Sequence, residues 1–276
     1  MKCITWNLKG IVGKAAKQMD AIIQLQPDIL AFQEVTLNST NIIRKKLSHS
    51  YANIANSLDL VQDKSVLVGP RRYGVLIATN YKIQTLDSKL FDIPWQERVL
   101  SVNIHHPKET IEFHTAYIPP GSTNRWKKIE TLEGIYKRLA VKTNTKRILC
   151  GDFNTPQDEL VQYGAVTFAQ KINKIGVPKL KEIFRGGSGK RWDEGERKIL
   201  EGLKKYNLID SYRHIHPISK RAYSFEFVRK GKVVSQRRFD HFFSSKELNP
   251  KSAEYIHQLR KDKLSDHTPL MIIFNY

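Results

Sequence analysis

The stretch Arg147-Ile-Leu-Cys-Gly-Asp-Phe-Asn154 constrains the fold of this chain more than any other. Ile148, Leu149 and Cys150 form a short apolar run that reads as a buried strand. The run ends in Gly151, and Asp152 and Asn154 follow. Side chains alternate along an extended chain, so positions 152 and 154 share a face, and a carboxylate emerges beside a carboxamide at a strand end. Trp6-Asn7, Gln33-Glu34, Thr115-Ala116-Tyr117 and Phe239-Asp240-His241 repeat this form, and Ser265-Asp266-His267 stands just before the last apolar run. Polar groups at strand ends are where sites are built, so the fold expected is one that gathers these ends.

The rest of the chain fits such a scaffold. Residues 2–7 and 28–33 read as strands joined by a helix over 14–25, where Ala15, Met19, Ile22 and Ile23 share a face. A helix at 41–47 and a weak strand at 51–54 follow. Strands are expected at 64–68 and 73–79, flanking the turn Gly69-Pro70-Arg71-Arg72, and then at 83–86, 98–105 and 110–118. Trp126, Ile129, Leu132, Tyr136 and Leu139 mark the clearest helix, with Ser122 or Thr123 as its cap. Residues 155–190 read as irregular and basic, with 185–191 a mobile loop. A helix over 193–206 and strands at 222–228, 236–244, 253–257 and 268–274 complete the order. About a dozen strands and about four helices, with no Pro-, Gly- or Ser-rich linker between similar halves, predict an α/β fold. Two mainly antiparallel sheets would pack face to face with helices outside, as one domain over residues 1–276.

Charge narrows the partner. Lys and Arg number 46 against 27 Asp and Glu, a net charge of +19. A generically Lys-rich surface is one source of such an excess. A polyanionic partner is the other, nucleic acid first and an anionic membrane surface second. Cys3 and Cys150 fall in predicted strands and read as buried reduced thiols. No apolar run reaches the roughly 18 residues of a membrane span. The first residues run straight into a strand and a site residue rather than a leader. The expectation is a monomer, cytoplasmic or associated with a nucleoid or nucleus, and not secreted.

The polar ends supply four acids (Glu34, Asp152, Asp240, Asp266), two amides (Asn7, Asn154), Tyr117 and His267. Hard oxygen ligands such as Glu34 suit Mg2+, with Mn2+ as an alternative, and no Cys/His spacing suits zinc. Phosphodiester hydrolysis needs a water, a base to orient it and positive charge facing the phosphoryl oxygens. Asp152 can serve as the base, His267 as a donor to the phosphoryl oxygen, and Asp240 as the carboxylate that fixes the imidazole tautomer.

Taken together and in this order, Trp6-Asn7, Gln33-Glu34, Thr115-Ala-Tyr-Ile-Pro119, Gly151-Asp-Phe-Asn154, Arg238-Phe-Asp240 and Ser265-Asp-His267 resemble the endonuclease/exonuclease/phosphatase superfamily. The resemblance spans residues 2–274. It is strongest to the exonuclease III and apurinic/apyrimidinic endonuclease branch, through Asp210-Ser-Tyr-Arg-His214 and Ser224-Phe225 as well. It implies a four-layer α/β sandwich, a Mg2+ requirement and phosphoester hydrolysis. Glu34 would be the principal metal ligand, with Asn7 and Asp266 nearby. Asp152 and Asn154 would position the water, Tyr117 would contact the phosphate, and Asp240 with His267 would stabilise the transition state. Four departures bear on substrate: Val35-Thr36 for the usual Thr-Lys, Lys9 for an acid or amide near the metal, Pro120 for an amide, and Arg237 for a Trp of the abasic-sugar pocket, where Phe225 and Phe239 match.

The expected activity is Mg2+-dependent hydrolysis of DNA, endo- or exonucleolytic, with abasic sites one candidate target and DNA ahead of RNA. Arg71, Arg72, Arg125, Lys128, Lys190 and Arg191 would track the phosphate backbone, and Phe225, Arg237 and Phe239 would meet the nucleotide. The rivals are a less specific DNase/RNase, a phosphatase or phosphodiesterase acting on a small or lipid phosphate, and a nucleic-acid binder without catalysis. The last has no need of Glu34 or Asp152.

Overall fold

Alternation along the strands dictates the layers. In the computed structural model, which describes residues 1–276, the strand Lys2–Asn7 sends Cys3 to one side and Ile4 and Trp6 to the other. Ile29–Val35 divides likewise, with Ile29 and Ala31 on one face and Leu30 and Phe32 on the opposite one. The first face meets Val102, Phe113, Ile148 and Phe242 of a second sheet. The opposite face packs on Met19 and Ile22 of the helix Ala15–Ile23 and on Ile43 and Leu47 of the helix Leu37–Leu47. The outer face of the second sheet, with Ala116, Leu149 and Phe243, buries Ile129, Leu132 and Ile135 of the helix Lys127–Leu139 and Trp192 of the helix Gly189–Leu200. The result is a four-layer α/β sandwich, held by apolar burial between every pair of layers.

Each sheet has six strands. The first runs Pro250–Tyr255, Leu270–Phe274, Lys2–Asn7, Ile29–Val35, Gly74–Thr79, Asn53–Asn56. The second runs Ile209–Asp210, Asp240–Ser244, Lys146–Asp152, Thr110–Tyr117, Val99–His105, Lys82–Thr85. The two central strands of each sheet are parallel, and every other pair is antiparallel. A parallel pair needs a crossover, which the helices Ala15–Ile23 and Lys127–Leu139 supply. The four central strands thereby end in Asn7, Glu34-Val35, Tyr117 and Asp152. Antiparallel pairing adds Asp240 opposite Asp152. The site is gathered by topology.

Gly151 makes the last step of the central strand. Its φ is +134°, and a Cβ there would lie 2.0 Å from the carbonyl oxygen of Ala116. Only glycine permits that approach.

Several expectations need correction. Residues 64–66 form a 3-10 turn rather than a strand, because the Asp63 carboxylate accepts from the Ser65 amide and competes with extended pairing. The supposed irregular region holds three short hairpins between Asp158 and Ser188. The helix Gly189–Leu200 begins inside the supposed loop, with the Ser188 hydroxyl accepting from the Arg191 amide. The expected strand 236–244 is two strands: Lys232–Arg237 pairs in a hairpin with Phe225–Arg229, and Asp240–Ser244 joins the second sheet. Neither Ser122 nor Thr123 caps the helix Lys127–Leu139. They lie in a short helical turn that Arg125 breaks at φ +46°. No helix is long and apolar enough to cross a membrane.

Candidate active site

Asp152 is the buried centre of the cluster at the strand ends. Its Oδ2 accepts from Asn7 Nδ2 at 2.9 Å, and its Oδ1 accepts from the Asn154 amide at 2.9 Å. Burial, and the neighbouring Asp240 carboxylate, push its carboxyl up to about 7 against the pull of His267. His267 Nε2 lies 3.8 Å from Asp152 Oδ2, and its Nδ1 meets Asp240 Oδ2 at 2.7 Å. Desolvation opposes the imidazolium, but the Asp240 and Asp152 carboxylates outweigh it and push His267 up to about 10.

The remaining side chains are placed by local backbone. Glu34 sits at a register shift between Gln33 and Val35 with φ +55°, a bulge that turns its carboxylate to the rim. Asn7 Nδ2 donates to Glu34 Oε1 at 3.0 Å, so one carboxamide bridges Glu34 and Asp152. Its oxygen accepts from the Lys9 amide at 2.9 Å. Asn7, expected as a metal-side ligand, thus turns its nitrogen to the carboxylates. Lys9 and Asn154 also have positive φ, so three site residues hold a conformation that L side chains rarely adopt. Lys9 Nζ pairs with Asp266 Oδ2 at 2.9 Å. Tyr117 is buried, and burial with Glu34 nearby raises its phenol well above the usual range, keeping it a proton donor.

The donor set suits a hard divalent ion. Glu34 and Asp152 offer carboxylate oxygens across Asn7, and Asp240 Oδ1 is buried without a partner. Asp152, Asp240 and His267 also place ligand atoms within 4.8 Å of one another. An ion held by that trio through Nδ1 would have to break the 2.7 Å Asp240–His267 bond, which makes Glu34 the better anchor.

Four residues support the site from behind, and of these only Arg98 lies outside the motifs read from the sequence. Gln33 Nε2 reaches Thr5 Oγ1 and Thr115 Oγ1, each at 2.9 Å, and ties the two sheets beneath the rim. Arg98 is buried with its guanidinium 4.2 Å from the Tyr117 ring centroid. Trp6 Nε1 donates to the His267 carbonyl, and Ser224 Oγ accepts from the Asp240 amide.

The expected nucleic-acid contacts divide. Arg72, Arg125, Lys190 and Arg191 are exposed, and Arg191 is clamped by Glu133. Arg71 forms two bonds to the buried Glu97 carboxylate. Lys128 is 1% exposed, so it does not track a backbone from a surface loop. Its Nζ pairs with Glu196 Oε1 at 2.5 Å and donates to the Asn154 carbonyl at 2.8 Å, supporting the site from behind. Phe225 packs on His267 at 4.9 Å and stacks on Phe239 at 5.7 Å, and Arg237 lies over Phe227 at 4.5 Å.

A family model described as the Endonuclease/Exonuclease/phosphatase family matches residues 4–267. The DNA-(apurinic or apyrimidinic site) endonuclease of Dictyostelium discoideum is 23% identical over 284 aligned positions, which cover 99% of this chain and 70% of that protein. An AP endonuclease structure from Archaeoglobus fulgidus superposes with a TM-score of 0.71 at 19% identity, over 100% of both chains. The structure of the 3′ phosphatase NExo from Neisseria, bound to a product DNA hairpin, does so at 0.66 and 20% identity, again over 100% of both. At these identities the solved structures establish a shared fold.

Proposed function

Because the chain belongs to the endonuclease/exonuclease/phosphatase family, and is therefore a phosphoester hydrolase, we propose that it cleaves phosphodiester bonds in DNA with the help of Mg2+, or of Mn2+ in its place. The observation that carries this reading is Asp152, held by Asn7 and Asn154 and facing a His267–Asp240 pair. A net charge of +19 favours a polyanion. DNA is favoured over RNA because the relatives named above act on it or bind it. The mode is endo- or exonucleolytic, with an abasic strand as one candidate substrate. Residues 1–276 act as one catalytic unit, since both sheets contribute to the rim.

In this mechanism Asp152 orients a water and takes its proton as the oxygen attacks phosphorus, and the bond to the leaving oxygen breaks. A carboxyl pushed up to about 7 suits that task near neutral pH. Asn154 fixes the geometry of Asp152. His267, held by Asp240, donates from Nε2 to a phosphoryl oxygen, and the Tyr117 hydroxyl donates to another. A divalent ion on Glu34 would supply positive charge to the phosphoryl group as negative charge builds. Asp266, tied to Lys9 at 2.9 Å, would add a further carboxylate for that ion once released from the ammonium.

The test is turnover of labelled duplex DNA with Mg2+ by Asp152→Ala and His267→Ala. Each should lose at least about 100-fold in kcat while binding DNA nearly as tightly as the wild type. Rates near wild type in either variant would contradict the mechanism.

A further inference from the structure

Beside Asn154 lies a cavity of about 330 Å3, walled by the rings of Phe168, Trp192, Phe227 and Phe239. Arg185 and Arg237 line it, and no Asp or Glu does. Lys128 also reaches it, but its ammonium is already paired with Glu196. Neither guanidinium is held in an ion pair as Lys128 is, although the Asp158 carboxylate, outside the cavity lining, acts on Arg237. Arg237 lies over Phe227 and Phe168 at 4.5 and 4.9 Å, and Arg185 lies over Phe184 and Trp192 at 5.1 and 5.7 Å. Nε of each is buried without a hydrogen-bond partner. Arg185 Nη1 reaches only the Ser122 carbonyl, at 3.4 Å.

Ring faces steady these cations but do not satisfy their N–H groups, and an unmade hydrogen bond to a buried charged donor is costly. The cavity is thus built for a ligand with flat surface for the rings and an anion for the arginines. A neutral sugar alone would leave both guanidinium charges without an anion.

We propose that this cavity is a subsite for a nucleotide carrying a phosphate besides the one under attack. Its apolar faces lie on the rings, and its second phosphate meets Arg185 and Arg237. This rests on the nuclease reading in that Asn154, which lines the cavity, also hydrogen-bonds Asp152. It adds a substrate class: strand termini or segments whose next phosphate is delivered into a cationic aromatic pocket. Planar guanidinium groups pair with phosphate oxygens through two N–H groups at once, which makes the contact directional.

Calorimetric titration of the full chain in EDTA, where no turnover occurs, tests this. The probes are a deoxynucleoside 3′,5′-bisphosphate, the matching 5′-monophosphate and inorganic phosphate. The wild type should bind the bisphosphate at least about ten-fold tighter than the monophosphate. Inorganic phosphate should compete with it. Arg237→Met and Arg185→Met keep bulk against the rings and should each remove most of that preference. The variants stand on different hairpins, so one remains informative if the other misfolds. Equal affinity for both nucleotides in the wild type, or an intact preference in a folded variant of each arginine, overturns the subsite. Absence of DNA cleavage in Mg2+ with the preference intact would instead overturn only the nuclease assignment.

Discussion

Asp152→Asn should make the metal-free protein more stable near neutral pH while removing its activity. The Asp152 carboxyl is pushed from an ordinary 3.8 up to about 7, chiefly by burial. Between those values the unfolded carboxyl is ionised and the native one holds its proton. The native state therefore binds more protons, and stability falls as pH rises through that window. Roughly three pH units at about 1.36 kcal/mol each give about 4 kcal/mol of destabilisation at pH 8. Asparagine removes the charge. It also replaces an oxygen that accepts from Asn7 at 2.9 Å with an amide nitrogen, or reverses its contact with the Asn154 amide. A lost hydrogen bond of this kind costs about 1–2 kcal/mol, which leaves a net gain of about 2 kcal/mol. Urea denaturation in EDTA at about pH 8 would measure it, and a series down to about pH 5 should show the advantage shrinking as native Asp152 takes up its proton. If Asp152→Asn is less stable than the wild type at pH 8, or its advantage is the same at pH 5, burial of a charged Asp152 is not the cost described here.

Three further outcomes follow from the same geometry. Lys128→Met leaves the Glu196 carboxylate buried without its cation, and should cost about 3–5 kcal/mol by urea denaturation. Replacing both partners, as in Lys128→Met with Glu196→Leu, should recover part of that loss. Asp240→Asn removes the first carboxylate that lifts His267 toward about 10, so the alkaline limb of the kcat profile should move down in pH; an unmoved limb would show that His267 does not control it. Lys9→Ala removes the ammonium from Asp266, and Mn2+ affinity, read by electron paramagnetic resonance, should tighten several-fold. A weaker affinity would mean that Lys9 assists the ion rather than competing with it.

The strand ends were legible because each joins an apolar run to a polar residue, and because Gly151, Asp152 and Asn154 leave little freedom at the rim. What failed was information carried by distant partners or by very short strands. Lys128 precedes Ile129 on the buried side of its helix, and only Glu196, 68 residues away, makes its burial tolerable. The hairpins between Asp158 and Ser188 have strands of two or three residues, too short to show a period. Lys232–Arg237 and Asp240–Ser244 read as one strand because only two residues separate them, although they pair in different sheets. Arg98 stands alone at the head of a strand, and nothing in its neighbours announces that Tyr117 lies 4.2 Å from it.

Labelled duplexes, one intact and one with a single abasic site, incubated beside single-stranded DNA and RNA with Mg2+ or with EDTA, show whether the clustered strand ends hydrolyse DNA. Cleavage of a DNA substrate that depends on Mg2+ and disappears in Asp152→Ala is the predicted result. A protein that leaves every strand intact with Mg2+, or that cleaves equally in EDTA, would contradict the assignment of these strand ends as a metal-assisted DNA-hydrolysing site.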